Sequence, residues 1–132
     1  MSRGGSGLLL QQTGLAVLAH LGLDLAAIAK GAKITRFWGV SSHDRAIFDL
    51  EHTNLNSNCF SLGIHRHSLF ELLYDEASSL GVDIVSSFQT VDVINENSRY
   101  RLAAADQRPS AQFDVVFDAR GVHSKVRDQC AS

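Results

Sequence analysis

Proline occurs once in these 132 residues, at Pro109, and cysteine twice, at Cys59 and Cys130. A single proline leaves no room for a proline-rich linker. Two cysteines without metal-ligand spacing make neither a zinc site nor a disulfide framework, so a reducing cytoplasm is the expected compartment. A basic excess is also lacking: 12 Lys and Arg stand against 14 Asp and Glu, a net charge of −2. That balance offers no electrostatic footprint for nucleic acid or for an anionic membrane surface. Long apolar runs are missing too. Near the start the longest is residues 8–10, three leucines, far short of a signal-peptide core or a membrane span. There is no internal repeat and no Gly-x-Ser-x-Gly elbow, so the hydrolase signature is absent. What remains is a composition 45% hydrophobic and 20% charged, that of a soluble globular chain long enough to bury roughly two thirds of its unfolded surface.

The most informative stretch is 113–127, which contains Val115-Val116-Phe117-Asp118-Ala119-Arg120-Gly121-Val122-His123-Ser124. Residues 115–119 are a short, mostly apolar run rich in β-formers, the pattern of a buried parallel strand. Gly121 breaks the run, and a basic segment with Lys125 and Arg127 follows. Strand, glycine turn and polar segment together bring backbone N–H groups close to a phosphate or ribose. An ordinary strand-to-helix junction has the same layout.

Elsewhere the chain alternates helical and extended patterns. Arg3-Gly4-Gly5-Ser6-Gly7 is a glycine cluster with no strand before it, so it is not a dinucleotide fingerprint; it reads as a flexible start. Leu15, Leu18 and Leu21 recur at helical spacing, and Leu21-Gly22-Leu23 ends that helix. A second short helix spans 24–30, with Asp24 as a possible N-cap and Gly31 as its stop. Residues 33–40 and 45–50 read as two strands around the polar turn 41–44. Phe37 and Trp38 suit either a pocket wall or ordinary packing. Residues 51–61 are polar and Asn-rich, a loop. Ser68 and Glu71 have capping-box spacing, which starts a helix near Ser68. Leu69, Leu72, Leu73 and Leu80 supply its apolar stripe, and Gly81 stops it. Arg66 then stands just before a helix N-terminus, where a guanidinium adds to the positive dipole end and favours an anion; it also reads as a solvated arginine. His65 and His67 beside it do not complete a metal site. Strands are expected at 82–87, 91–94, 100–104 and 113–119, with turns at 95–98 and 107–110.

The segment Ala119, Gly121, His123, Ser124, Val126 and Arg127 resembles the second nucleotide-binding motif of the aromatic-ring hydroxylases, the FAD-dependent monooxygenases related to 4-hydroxybenzoate hydroxylase. That motif is an apolar run, Gly-Ala-Asp-Gly, two variable residues, Ser, one variable residue, Val-Arg. Its aspartate falls at Arg120 here. The resemblance extends over about 7–127. It implies an α/β chain: a partial Rossmann-like FAD-binding fold with part of the mixed-sheet substrate domain. In that scheme 1–132 is a single incomplete domain, with 1–32 and 62–132 mainly on the flavin side and 33–61 on the substrate side. It implies FAD as cofactor and NAD(P)H as reductant, with a small aromatic molecule as substrate. The cofactor-binding positions it implies are Arg3, Arg66, Val91 (through its backbone), Arg120, Gly121 and Ser124, with no catalytic side chain and no metal, because the flavin carries the bond-making.

Neither the family's strand–GxGxxG–helix unit nor its later Gly-Asp motif is found in this sequence. The expectation is a fragment or truncated product, or a chain completed by a partner. On this reading the isolated chain is inactive, and an open sheet edge at 115–117 invites self-association. Two other classes fit the same residues: a non-catalytic paralogue or interaction subunit, and another flavoprotein oxidoreductase of the same fold.

Overall fold

The structure, a computed structural model, describes residues 6–54 and 58–129. The chain divides into two compact units, Met1–Asp83 and Ile84–Ser132. Helices and sheets are both present, as an α/β chain requires, and every strand pairing among the described residues is antiparallel.

The first unit is organised around a strand that the sequence pattern hides. Strands β1 (Gly7–Leu10) and β2 (Gly31–Ile34) flank β5 (Ser61–His65) in a three-stranded sheet. Helices α1 (Gln12–His20) and α2 (Asp24–Ala29) fill the connection between β1 and β2. Leu15, Leu18, Leu23 and Ala27 from this helical region bury against Leu62 and Ile64 of β5, and Leu8, Leu10 and Leu69 pack around them. Neither β1 nor β5 shows alternation that would announce a strand. Their pairing is non-local, with Gly7 opposite His65 and Leu10 opposite Leu62. Ser61, expected in a loop, is fully buried as the first residue of β5. Its hydroxyl is satisfied by His52 Nε2 at 2.9 Å, as a buried polar group must be.

The expected strand at 33–40 is two strands. β2 pairs with β5, whereas β3 (Arg36–Val40) turns away to pair with β4 (Ala46–Glu51). The break falls at Thr35, whose carbonyl accepts from His52 N at 2.9 Å. Phe37 meets His52 edge-on, with centroids 5.5 Å apart, and Trp38 is exposed. Two helix boundaries also shift. Leu23, not Asp24, precedes α2, and Gly31 opens β2 rather than stopping the helix. Helix α3 runs Arg66–Ser79. His65 caps it, with Nδ1 accepting from His67 N at 3.4 Å; Ser68 is not the cap. Gly81 ends the segment at φ +75°, a backbone that residues with a Cβ rarely adopt. Leu69 and Leu72 are half-buried on α3, whereas Leu73 and Leu80 are exposed.

The second unit is an antiparallel meander of β6 (Thr90–Glu96), β7 (Arg99–Ala104) and β8 (Pro109–Phe113). Asn97 and Ser98 join β6 to β7 with φ of 54° and 67°, the left-handed pair that a two-residue hairpin turn requires. Two expected strands are not formed. Residues 82–87 and 115–119 have no partner strand among the described residues, and a strand is a pairing before it is a composition. The last strand is therefore β8, six residues earlier than the apolar run 115–119 indicates. Val115 is exposed and Phe117 is 91% exposed, so the buried parallel strand expected at 115–119 is corrected to an unpaired segment.

Candidate functional site

Four of the six residues singled out by the sequence lie in the second unit, around one turn. Residues 121–123 form a short 3-10 turn after Arg120. Gly121 takes φ +75° with nothing within 4 Å of where a Cβ would stand, so the backbone, not crowding, requires glycine there.

Asp118 is the hub of this turn, and sequence reasoning missed it. Its side chain is 8% exposed. Oδ1 accepts from Arg120 Nε at 2.9 Å and from Arg120 N at 3.3 Å, and Oδ2 accepts from the Ser124 hydroxyl. These bonds, the Ser124 hydroxyl first and the Arg120 guanidinium second, hold the Asp118 carboxyl below the usual carboxylate range against the opposing effect of desolvation. The signal was present in the sequence as an aspartate two residues before an arginine at a glycine turn, the spacing of a side chain that bonds backbone two residues on.

Arg120 reaches in three directions. Besides Asp118, Nη1 donates to Thr90 O at 2.7 Å and Nη2 donates to Ser124 Oγ at 3.0 Å. Ser124 Oγ also accepts from Val126 N at 3.3 Å. A hydroxyl has one proton and two lone pairs, so Ser124 is saturated by its own chain. The guanidinium keeps two of its five N–H donors beyond these contacts. Val91 follows Thr90 and sits where the β6–β7 register shifts, between Thr90 and Asp92. Such an irregularity frees backbone groups from the ladder. Thr90, Val93 and Leu102 of the sheet, together with residues 116–120, line a cavity of about 290 Å³. Val126, 2% exposed, is part of its wall.

Arg66 belongs to the first unit. It is the first residue of α3 and is exposed. Its neighbour His67 pairs with Glu71 at 3.1 Å. His65 takes the His67 N–H, and the remaining N–H groups of the helix start, with a guanidinium beside them, suit an anion. Arg3 lies outside the described residues. Among the described residues no three His, Cys, Asp or Glu side chains converge as a metal site, and no helix is long and apolar enough to cross a membrane.

No protein-family model matches the sequence, and no curated protein matches it. Solved structures do match in fold. FqzB is similar over 98% of this chain with a TM-score of 0.76 and 23% identity. HpxO of Klebsiella pneumoniae, solved with FAD and uric acid, is similar over 98% with a TM-score of 0.73 and 15% identity. The 2,6-dihydroxypyridine-3-hydroxylase of Arthrobacter nicotinovorans is similar over 99% with a TM-score of 0.66 and 16% identity. The chain spans only 30%, 33% and 30% of those proteins, respectively. Its fold is therefore that of a segment about a third of the length of each.

Proposed function

We propose that this chain is part of an FAD-dependent monooxygenase that hydroxylates an aromatic or similar small organic substrate in the cytoplasm, using NAD(P)H and dioxygen. The observation that supports this is the likeness of fold, over nearly all of the chain, to an enzyme solved with FAD and uric acid. The 2,6-dihydroxypyridine-3-hydroxylase points to the same class. The residues suit the cofactor. Arg66 at the start of α3 offers positive charge to a phosphate or a flavin oxygen, and Arg3 is a second cofactor contact that the resemblance implies. The bulge at Val91 offers backbone groups to the adenine. Arg120 and Ser124 hold the Gly121 turn in a fixed shape, and Arg120 keeps donors for a ribose or phosphate oxygen. The flavin supplies the redox chemistry when bound, and the chain's own share is to bind, orient and exclude water. In this reading the whole chain is one incomplete Rossmann-like domain, and the segment 115–117, with Val115 and Phe117 exposed, is the surface through which the isolated chain self-associates.

The test is flavin affinity. Joined to a complete GxGxxG cofactor-binding unit, the chain should bind FAD. Arg66→Ala should then weaken binding by ~1.5–3 kcal/mol, the value of a charge-assisted contact, and an unchanged dissociation constant would make Arg66 a surface charge. The engagement of the turn by its own chain favours a second reading, a non-catalytic paralogue or interaction subunit: Arg120 spends two donors within the turn and a third on the Thr90 carbonyl of β6, and all of Ser124's hydroxyl capacity is taken. A joined protein that folds but stays colourless selects that reading.

A further inference from the structure

Strand β6 stands at the end of its sheet, paired with β7 on one side only. Its other edge is a row of backbone groups that a further strand could pair with. The register shows which groups face outward. Glu96 and Arg99 close the two-residue turn as a hydrogen-bonded pair, and the pairing alternates from there, so Val93, opposite Leu102, turns its N–H and C=O away from β7. Leu102 agrees with this: its own N–H is turned to the far side, where Ser110 Oγ accepts it at 2.8 Å.

That outward edge is already occupied, and by side chains. Val93 N is shared by two acceptors, Asp92 Oδ1 at 2.9 Å and Gln129 Oε1 at 3.1 Å, while Gln129 Nε2 donates to Asp92 Oδ1 at 2.7 Å. The Gln129 amide thus stands where a neighbouring strand's peptide group would. Three residues back along β6, Arg120 Nη1 takes the Thr90 carbonyl at 2.7 Å. Arg120 is itself fixed by Asp118 and Ser124, so this plug is anchored at its other end. Both residues come from the irregular segment that follows β8, which places two long amide-bearing or guanidinium side chains along one seven-residue edge.

We propose that Arg120 and Gln129 shut the open edge of β6 against strand addition by a second copy of the chain. Identical edges are self-complementary in antiparallel pairing, and β6 is rich in Val, Ile and Thr, residues that pair well. The inference is independent of any cofactor, because it concerns only backbone groups and the side chains that cover them.

Amide exchange and sedimentation test it. In the unaltered chain the Val93 amide should be protected by about tenfold or more over a free chain, although no strand covers it. Gln129→Ala should lower that protection, with Asp92 Oδ1 as the acceptor that remains, and leave the Leu102 amide protected. The double variant Arg120→Ala/Gln129→Ala should associate at a concentration about tenfold or more below the unaltered chain, and Val93 should regain protection in the associated form. An unprotected Val93 in the unaltered chain overturns the proposal. So does a double variant that associates no more readily, or that associates without protecting Val93. If the double variant loses the exchange pattern of the sheet, Gln129→Ala alone decides by the same two measurements.

Discussion

The two units are held together by different means. In the first, six buried apolar residues from two helices, their junction and a central strand form one cluster. In the second, the buried apolar residues among those described are Ala104 and Val126, and the segment after β8 is tied down by Asp118, Arg120, Ser124 and Gln129. Apolar packing is non-directional and tolerant of pH, and its strength follows the area removed from water. A polar network is directional and depends on the charge state of its members. The same chain should therefore fail in two ways, one unit through lost volume and the other through lost partners.

The largest expected effect is in the first unit. Leu62→Ala removes a fully buried side chain from the middle of β5, and truncations of this kind cost ~2–5 kcal/mol. Denaturant unfolding followed by amide signals of each unit should show the loss in the first. Equal loss in both would mean that the units unfold as one and do not differ in what holds them.

Next is Ser124→Ala, which leaves Asp118, Arg120 and the Val126 amide each short of a partner. Stranding polar groups in this way costs roughly 1–3 kcal/mol. The loss should appear in the second unit as faster exchange at Val126. A variant as stable as the parent would show that the turn is held by packing on Val126 instead.

Gly121→Ala should cost ~1–2 kcal/mol, the penalty for a left-handed backbone with a Cβ, with no steric contribution because the space is open. Gly121→Asn should recover part of it, since Asn tolerates that conformation better. A neutral Gly121→Ala would mean that the turn relaxes to negative φ.

The smallest effect is a local response to acid. Asp118 and Asp106 both lie below the usual carboxylate range, Asp118 chiefly through the Ser124 hydroxyl and Asp106 chiefly through the Arg108 side chain. A carboxyl depressed in the folded state contributes stability that is fully present above its unfolded value, about 3.9. That contribution is lost as pH falls through the folded value. Below about pH 4, exchange and chemical shifts around 118–126 should therefore change before those of Leu15, Leu62 and Ile64. The core of the first unit moving first would reverse the assignment. Asp49, held low by Arg36 on the exposed β3–β4 ribbon, should respond with the acid-sensitive set.

Some of this was legible in advance. The β6–β7 hairpin was evident from alternating residues around Asn97 and Ser98, and α1 from leucines at helical spacing, because both are local patterns. β1 and β5 were not legible, since each is defined by a partner more than fifty residues away. Among the site residues, Arg120, Gly121, Ser124 and the Val91 backbone were identified singly, and the structure brings them to one turn and one bulge. Asp118 and Gln129 escaped notice because their importance lies in what they touch, Ser124 and Arg120 for one and the Val93 amide for the other.

By itself the sequence determined the α/β character of the chain, the glycine turns at Gly22, Gly81 and Gly121, and the stretch 113–127 as a site of interest. Those are properties of spacing and of single residues. Tertiary structure decided that β5 is the centre of the first unit and that 115–119 is not a strand. It also decided that Arg120 faces inward on Asp118, Ser124 and the Thr90 carbonyl. Each of these depends on which distant backbone or side chain arrives to complete a hydrogen bond, and a linear pattern carries no record of that arrival.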